Sequence, residues 1–198
     1  MSTPLPQLDD DALIGIAGDI VHAIAPNTEA HPVALLVDFL ACFGSAVGPA
    51  PHVRVGGARH PARLFVVMTG TTSSGRKGQS RAEIRPLMAS ADLGWSDSRV
   101  VGGLSSGEGL IAAVQDDGDK RDGAVIDKRL LVVEEEFSHV LKVASRDGST
   151  LSETVRRSWD SGDLRVLDAP RAADSHGRAH LDHRALHGRR TTGSTRSA

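Results

Sequence analysis

The 198-residue chain has no tyrosine, only four phenylalanines and two tryptophans, and a single cysteine. One thiol cannot close an internal disulfide and offers no metal-ligand spacing. Cys42 therefore reads as a small buried hydrophobe in a protein of a reducing compartment. With few aromatics and a net charge of only −2, the composition gives no independent sign of a nucleic-acid surface. Long apolar runs are also lacking. The most apolar stretch, "PVALLVDFLACFGSAVGPA", is broken by Asp38, by glycines and by flanking prolines, and falls short of the roughly 20 residues that a membrane span needs. The N-terminus carries "DDD" where an export signal would place positive charge. Together these absences predict a soluble, cytoplasmic protein with no membrane partner.

What is present suffices for one domain with a real core and a helical extension, and is too short for two full domains. Charge is unevenly spread. Residues 1–168 hold 17 basic and 23 acidic side chains, whereas residues 169–198 hold 6 and 2. The tail thus differs in kind from the body.

Residues 9–25 place apolar side chains at helical spacing behind an acidic start, which the helix dipole favours. A second helix is expected from about 29 to 46, with Pro32 in its first turns and Gly48-Pro49 beyond its end. From His52 the period changes. "HVRV" alternates, "GGARHPA" turns, and "RLFVVMT" is a nearly continuous apolar run, so a hairpin feeding a buried strand is expected. A helix over 78–91 follows despite Pro86, then a short strand in "RVVGG" at 99–103. "SSGEGLIAAVQ" opens on cap-type serines and continues at helical spacing. "DDGDKRDG" at 116–123 is a solvated loop. "LLVVEEEF" is an apolar strand from Leu130 to Val133 ending in carboxylates, and helices are expected around 138–145 and 149–160. Strands alternating with helices argue a mostly parallel α/β sheet.

The stretch "GTTSSGRKGQS", residues 70–80, joins the apolar run to the helix. Backbone amides in such a turn and at a helix N-terminus point at an anion, Lys77 adds a mobile positive charge, and the Ser80 hydroxyl can ligate Mg2+. Gly70 and Gly75 fit the G-x-x-x-x-G-K-[ST] spacing. Arg76 is inserted before Lys77, and Gly78 and Gln79 separate the lysine from Ser80. A nucleotide-hydrolysing site also needs acids at the end of a neighbouring strand. Glu134, Glu135 and Glu136 supply them, and strand alternation would send Glu134 and Glu136 to one side.

"SSGRKG", "SSGEGL", "EEEF" and "TLSETVRRSWDSGDLR", in this order, resemble the RecA-like P-loop ATPase domains of primase–helicase-type proteins from phages, plasmids and integrated elements. The resemblance spans about residues 10–167. It implies an α/β fold: a partial RecA-like P-loop NTPase sheet over 51–168, preceded by a helical segment over 1–50. It also implies an ATP site formed by Gly70, Ser74, Gly75, Arg76, Lys77, Gly78, Gln79 and Ser80. Lys77 would lie on the β- and γ-phosphates, Ser80 and Glu134 near Mg2+, and Glu134 and Glu136 would be the catalytic acids. In that family the lysine commonly follows an arginine, as here. DNA and a hexameric homo-oligomer are the partners of an intact relative. Glu108 either lines the same cleft or serves the helix start. Arg156, Arg157 and Trp159 offer a DNA or subunit face, or else a solvated helix face with one buried tryptophan. His139 reads as structural or surface-exposed.

After Leu167 the resemblance stops. Residues 169–198 carry His176, His180, His183 and His187 without apolar periodicity. G- and C-rich codons for 175–193, read one base over, can encode "ATGAHISIIGHFTVDELP". A frameshift near 168–175 then accounts for the composition change, the charge reversal and the lost periodicity, and a disordered, non-native tail is expected. Two other readings compete with an ATPase: a remnant that does not turn over, and a small-molecule phosphotransferase using the same loop.

Overall fold

A computed structural model describes residues 8–69, 77–115 and 125–164. The chain divides into Met1–Arg165 and Val166–Ala198. The second unit lies outside the described residues, as do the loop at 70–76, the Lys77 side chain, the loop at 116–124 and every expectation attached to them.

Two helices open the fold as their periodicity requires. After a single 3-10 turn, Asp10–Ala12, comes α1 (Gly15–Ile24). The longer α2 (Pro32–Val47) starts with proline in its first turn, where the missing N–H costs nothing, and His31 Nδ1 accepts from the Val33 amide at 3.2 Å. Leu35, Leu36, Phe39 and Cys42 form one buried stripe along α2. That stripe packs with Val21 of α1, with Ile84 and Met88 of α3 (Lys77–Ala91), and with Trp95 of α4 (Leu93–Ser98). Each fully buried side chain of this size contributes about 1.5–3 kcal/mol, so this helical layer is the main source of stability. Cys42 is buried, as expected of a lone thiol.

Between α2 and α3 runs the expected hairpin, β1 (His52–Val55) and β2 (Ala58–Pro61), antiparallel with Val55 opposite Ala58. Gly56 takes the turn at φ +57°, a conformation that favours glycine. A second pair is parallel. β3 (Val100–Val101) lies beside β4 (Leu131–Val132), with the Leu131 amide donating to Arg99 O at 2.9 Å and Val133 to Val101 O at 2.8 Å. Between them α5 (Gly107–Ala112) makes the crossover, and α6 (Phe137–Ala144) and α7 (Leu151–Asp160) follow.

Two expectations are overturned. The described residues form one antiparallel and one parallel strand pair and not a larger, mostly parallel sheet. "RLFVVMT" is not a buried strand: residues 63–69 join no ladder, and Leu64, Phe65, Val66 and Val67 are 42–56 % exposed. The segment is instead fixed from the side. The Arg63 guanidinium donates to Ser158 O at 2.7 Å, and the Phe65 ring meets Trp159 edge-on at 5.2 Å. A strand needs a partner edge for its amides and carbonyls. Among the described residues the formed strands pair only with each other, two and two, so an apolar β-branched pattern here lacks the neighbour that would bury it. Trp159 accordingly stays 52 % exposed.

Among the described residues no helix is long and apolar enough to cross a membrane.

Candidate functional site at the carboxyl ends of the parallel strands

β3 and β4 end side by side. Beyond β3 the chain runs through Gly102, Gly103, Leu104, Ser105 and Ser106 into α5, where the Ser106 hydroxyl caps the helix by accepting from the Gly109 amide at 3.0 Å. The two segments approach closely at Gly102, where a Cβ would stand 3.0 Å from Val133 O. This close approach brings the acid segment after β4 against the glycine–serine loop. There the Glu134 carboxylate accepts a hydrogen bond from the Leu104 amide. An open cleft of about 130 Å3 lies at this end, lined among others by Gly102, Leu104, Ser106, Leu110 and Val132.

The three glutamates divide differently from the alternation expected of a strand. β4 ends at Val132, so its period does not reach them. Glu134 is half-buried, while Glu135 and Glu136 are exposed. Glu136 lies at the start of α6, and its carboxylate accepts from the Ser138 hydroxyl at 2.6 Å. That bond, with the Lys142 charge behind it, holds its pKa below the usual carboxylate range. The structure therefore brings Glu134 to the glycine–serine loop and gives Glu136 a separate setting.

Glu108 lines a second cleft of about 210 Å3 between the start of α5 and the turn at 145–150, with Arg146 and Asp147. Its carboxylate accepts from Thr150 Oγ1 at 2.8 Å. Its own backbone amide, and then Thr150, hold it below the ordinary value. Of the two roles weighed for Glu108, the structure supports service to the helix start, which it joins to α7. On α7, Arg157 pairs with Glu153 at 2.6 Å in an i,i+4 bridge, and Arg156 Nε donates to Ser152 O at 3.3 Å. Both bonds are internal to the helix. His139 is exposed.

α3 begins at Lys77, directly after the loop at 70–76, so the helix N-terminus adjoins that loop. Gly78 is exposed and Gln79 half-buried. Ser80 is 1 % exposed, and its hydroxyl donates to Asp38 Oδ2 on α2. The sequence led us to expect a hydroxyl turned toward a metal; what is seen is a buried hydroxyl bonded to an acid of another helix. In the sequence Asp38 interrupts an apolar run. The signal available was an acid placed within the stripe of Leu35, Phe39 and Cys42. Burial pushes its carboxyl above the ordinary value, against the opposing effects of the Ser80 bond and the Arg81 charge.

Mg2+ takes one or two protein oxygens and otherwise waters and phosphates. Glu134 offers a half-buried carboxylate at the strand ends, whereas the Ser80 hydroxyl is 1 % exposed and turned to Asp38. Among the described residues no group of three or more His, Cys, Asp or Glu forms an all-protein cage. Compared with known proteins, the chain matches no family model, no curated protein and no solved structure.

Proposed function

We propose that the chain is an ATP-binding and ATP-hydrolysing domain of the DNA-replication or helicase type. One observation carries the reading: the Glu134 carboxylate sits on the Leu104 amide at the carboxyl ends of two parallel strands. Ligands of open α/β sheets bind beyond those ends. A glycine- and serine-rich loop leading into a helix that starts at Lys77 supplies the second half of such a site.

In this reading Gly70, Ser74, Gly75 and Arg76 would form the cradle, Gly78 and Gln79 would continue it into α3, and Lys77 would hold the β- and γ-phosphates. Exposed Glu136 would hold the Mg2+ shell through water, and the Ser80 hydroxyl would reach it only by turning from Asp38. When bound, Mg2+ neutralises charge across the phosphate oxygens. Glu134 is the better placed base. It would take a proton from water as the water oxygen bonds to the γ-phosphorus and the bond to the β-phosphate oxygen breaks. The ionised state of Glu136 at neutral pH suits a ligand to cation-bound water.

ATP turnover separates the roles. Glu134→Gln should bind ATP as the parent does and lose about 100-fold or more in rate. An unaltered rate would remove Glu134 from the chemistry. Single-stranded DNA should raise turnover, whereas stimulation by a small metabolite alone would point to a phosphotransferase. The exposed run at 64–67 favours one second reading, phosphate binding without turnover. ATP affinity that depends on Lys77, with no phosphate released under any condition, would establish it.

A further inference from the structure

The net charge of −2 hides a local excess on one element. Residues 48–69 hold no aspartate or glutamate and include Arg54, Arg59 and Arg63. Arg63 is engaged inside the fold, on Ser158 O. The other two stand on the β1–β2 hairpin, directly opposite each other in its register. Opposed residues share one face of a strand pair, so both charges are carried on the same side. Like charges so placed destabilise a hairpin, and among the described residues neither arginine side chain has a hydrogen bond or an ion pair. Residues 51–60 are all exposed, with Val53 at 67 % and Val55 at 64 %, so the ribbon is bare on both faces. A two-stranded hairpin is marginal alone in water. This one is held at its base, where Ala62 O rests against Gly44 of α2 and the Arg63 amide donates to Pro61 O at 2.7 Å.

Two bare cations set against each other complement a partner that is itself a line of anions. The strands of the ribbon lie about 4.8 Å apart. The major groove of B-DNA, about 12 Å wide, admits such a ribbon, whereas that of A-form RNA is too deep and narrow. Unpaired strands are held by stacking on aromatic rings, and residues 51–61 contain no phenylalanine, tyrosine or tryptophan. We propose that the β1–β2 hairpin is an arm for duplex DNA, entering the major groove with Arg54 and Arg59 on the phosphates. The inference does not use the nucleotide reading and shares no residue with that site.

The test is fluorescence anisotropy of a labelled DNA duplex of about 20 base pairs, titrated with the full chain, without nucleotide, at about 50 to 200 mM salt. The logarithm of affinity should fall linearly with that of salt, and Arg54→Ala/Arg59→Ala should make the slope shallower by about 2, one for each phosphate contact. The basic residues of 169–198 are common to both chains, so the difference reads the hairpin alone. Arg54→Lys/Arg59→Lys, which keeps the charge, should keep the slope. The alanine variant should melt no lower than the parent, because a repulsion is removed. Should it fail to fold, Arg54→Gln/Arg59→Gln repeats the comparison. An unchanged slope in the neutral variant, or no binding of the duplex by the parent, would overturn the proposal. So would a single strand or an RNA duplex of the same sequence binding as tightly, or arginine-dependent binding of phosphatidylserine vesicles without that of the duplex. Since no ATP is present, a chain that binds no nucleotide can still bear out this inference, and one that binds ATP can still fail it.

Discussion

Arg129 shows how much one side chain organises here. Its guanidinium bonds Asp127 at 2.8 Å, Asp92 at 2.6 Å and Ala46 O at 2.6 Å, joining β4, α4 and the end of α2. Bonds of this charge-assisted kind make Arg129→Ala cost about 2 kcal/mol, read as a lower urea midpoint with an unchanged slope. Asp92 caps α4 by accepting from the Trp95 amide at 2.9 Å. That bond first, and Arg129 second, hold its pKa below the ordinary value. A depressed folded-state pKa means stabilisation that is complete above the unfolded-state value, about 4, and lost as pH falls through the folded one. Asp92→Asn should therefore melt lower than the parent at neutral pH, and the gap should close on acidification below about pH 4. A gap constant in pH would contradict this. At this scale the sequence was only partly legible. The burial of Cys42 followed from its apolar surroundings. The Asp38–Ser80 bond joins residues 42 positions apart, and no local period reports such a pairing.

Among the elements, α2, α3, α6 and α7 were legible to within a few residues, whereas the helix expected over 9–25 starts only at Gly15, after a separate 3-10 turn that takes the acids. α4 was missed because six residues show too little period. Its signal was Asp92 three residues before buried Trp95. The β1–β2 hairpin and the β3 and β4 strands were legible from alternation and flanking glycine. The run at 64–68 was not, because an apolar pattern reports burial only where a partner edge exists. The α5–α7 contact depends on a residue with no side chain. A Cβ on Gly107 would stand 2.4 Å from Thr150 Oγ1 and 2.5 Å from Thr154 Oγ1. Gly107→Ala should push the two helices apart and cost about 1–3 kcal/mol, seen as a lower melting temperature. An unchanged melt would mean that the two threonines give way freely.

Taken as a whole, the described molecule is a mixed α/β fold: a helical layer carrying two short strand pairs, with an apolar segment exposed along one side. Leu64, Phe65, Val66 and Val67 beside half-exposed Trp159 form the kind of unpaired extended run that recruits other chains. Val67→Lys should reduce concentration-dependent light scattering with little change in melting temperature, since an exposed substitution shifts stability by only about 0.5 kcal/mol. Scattering that persists would place self-association elsewhere. Of the candidate site, the strand and the acid after it were legible, but the meeting of that acid with the glycine–serine loop at 102–106 was not. Nor was the site's division of labour, because it depends on where β4 stops and on which acid lands on the Leu104 amide.

The loop at 70–80 is proposed to bind the phosphates of a nucleotide. Calorimetric titration of Mg-ATP into the parent chain and into Lys77→Ala tests it most directly. Saturable binding near one ATP per chain is expected of the parent, with affinity at least about 10-fold weaker in the variant, a loss of about 1.4 kcal/mol or more. Equal affinity in both, or no heat from the parent, would contradict it.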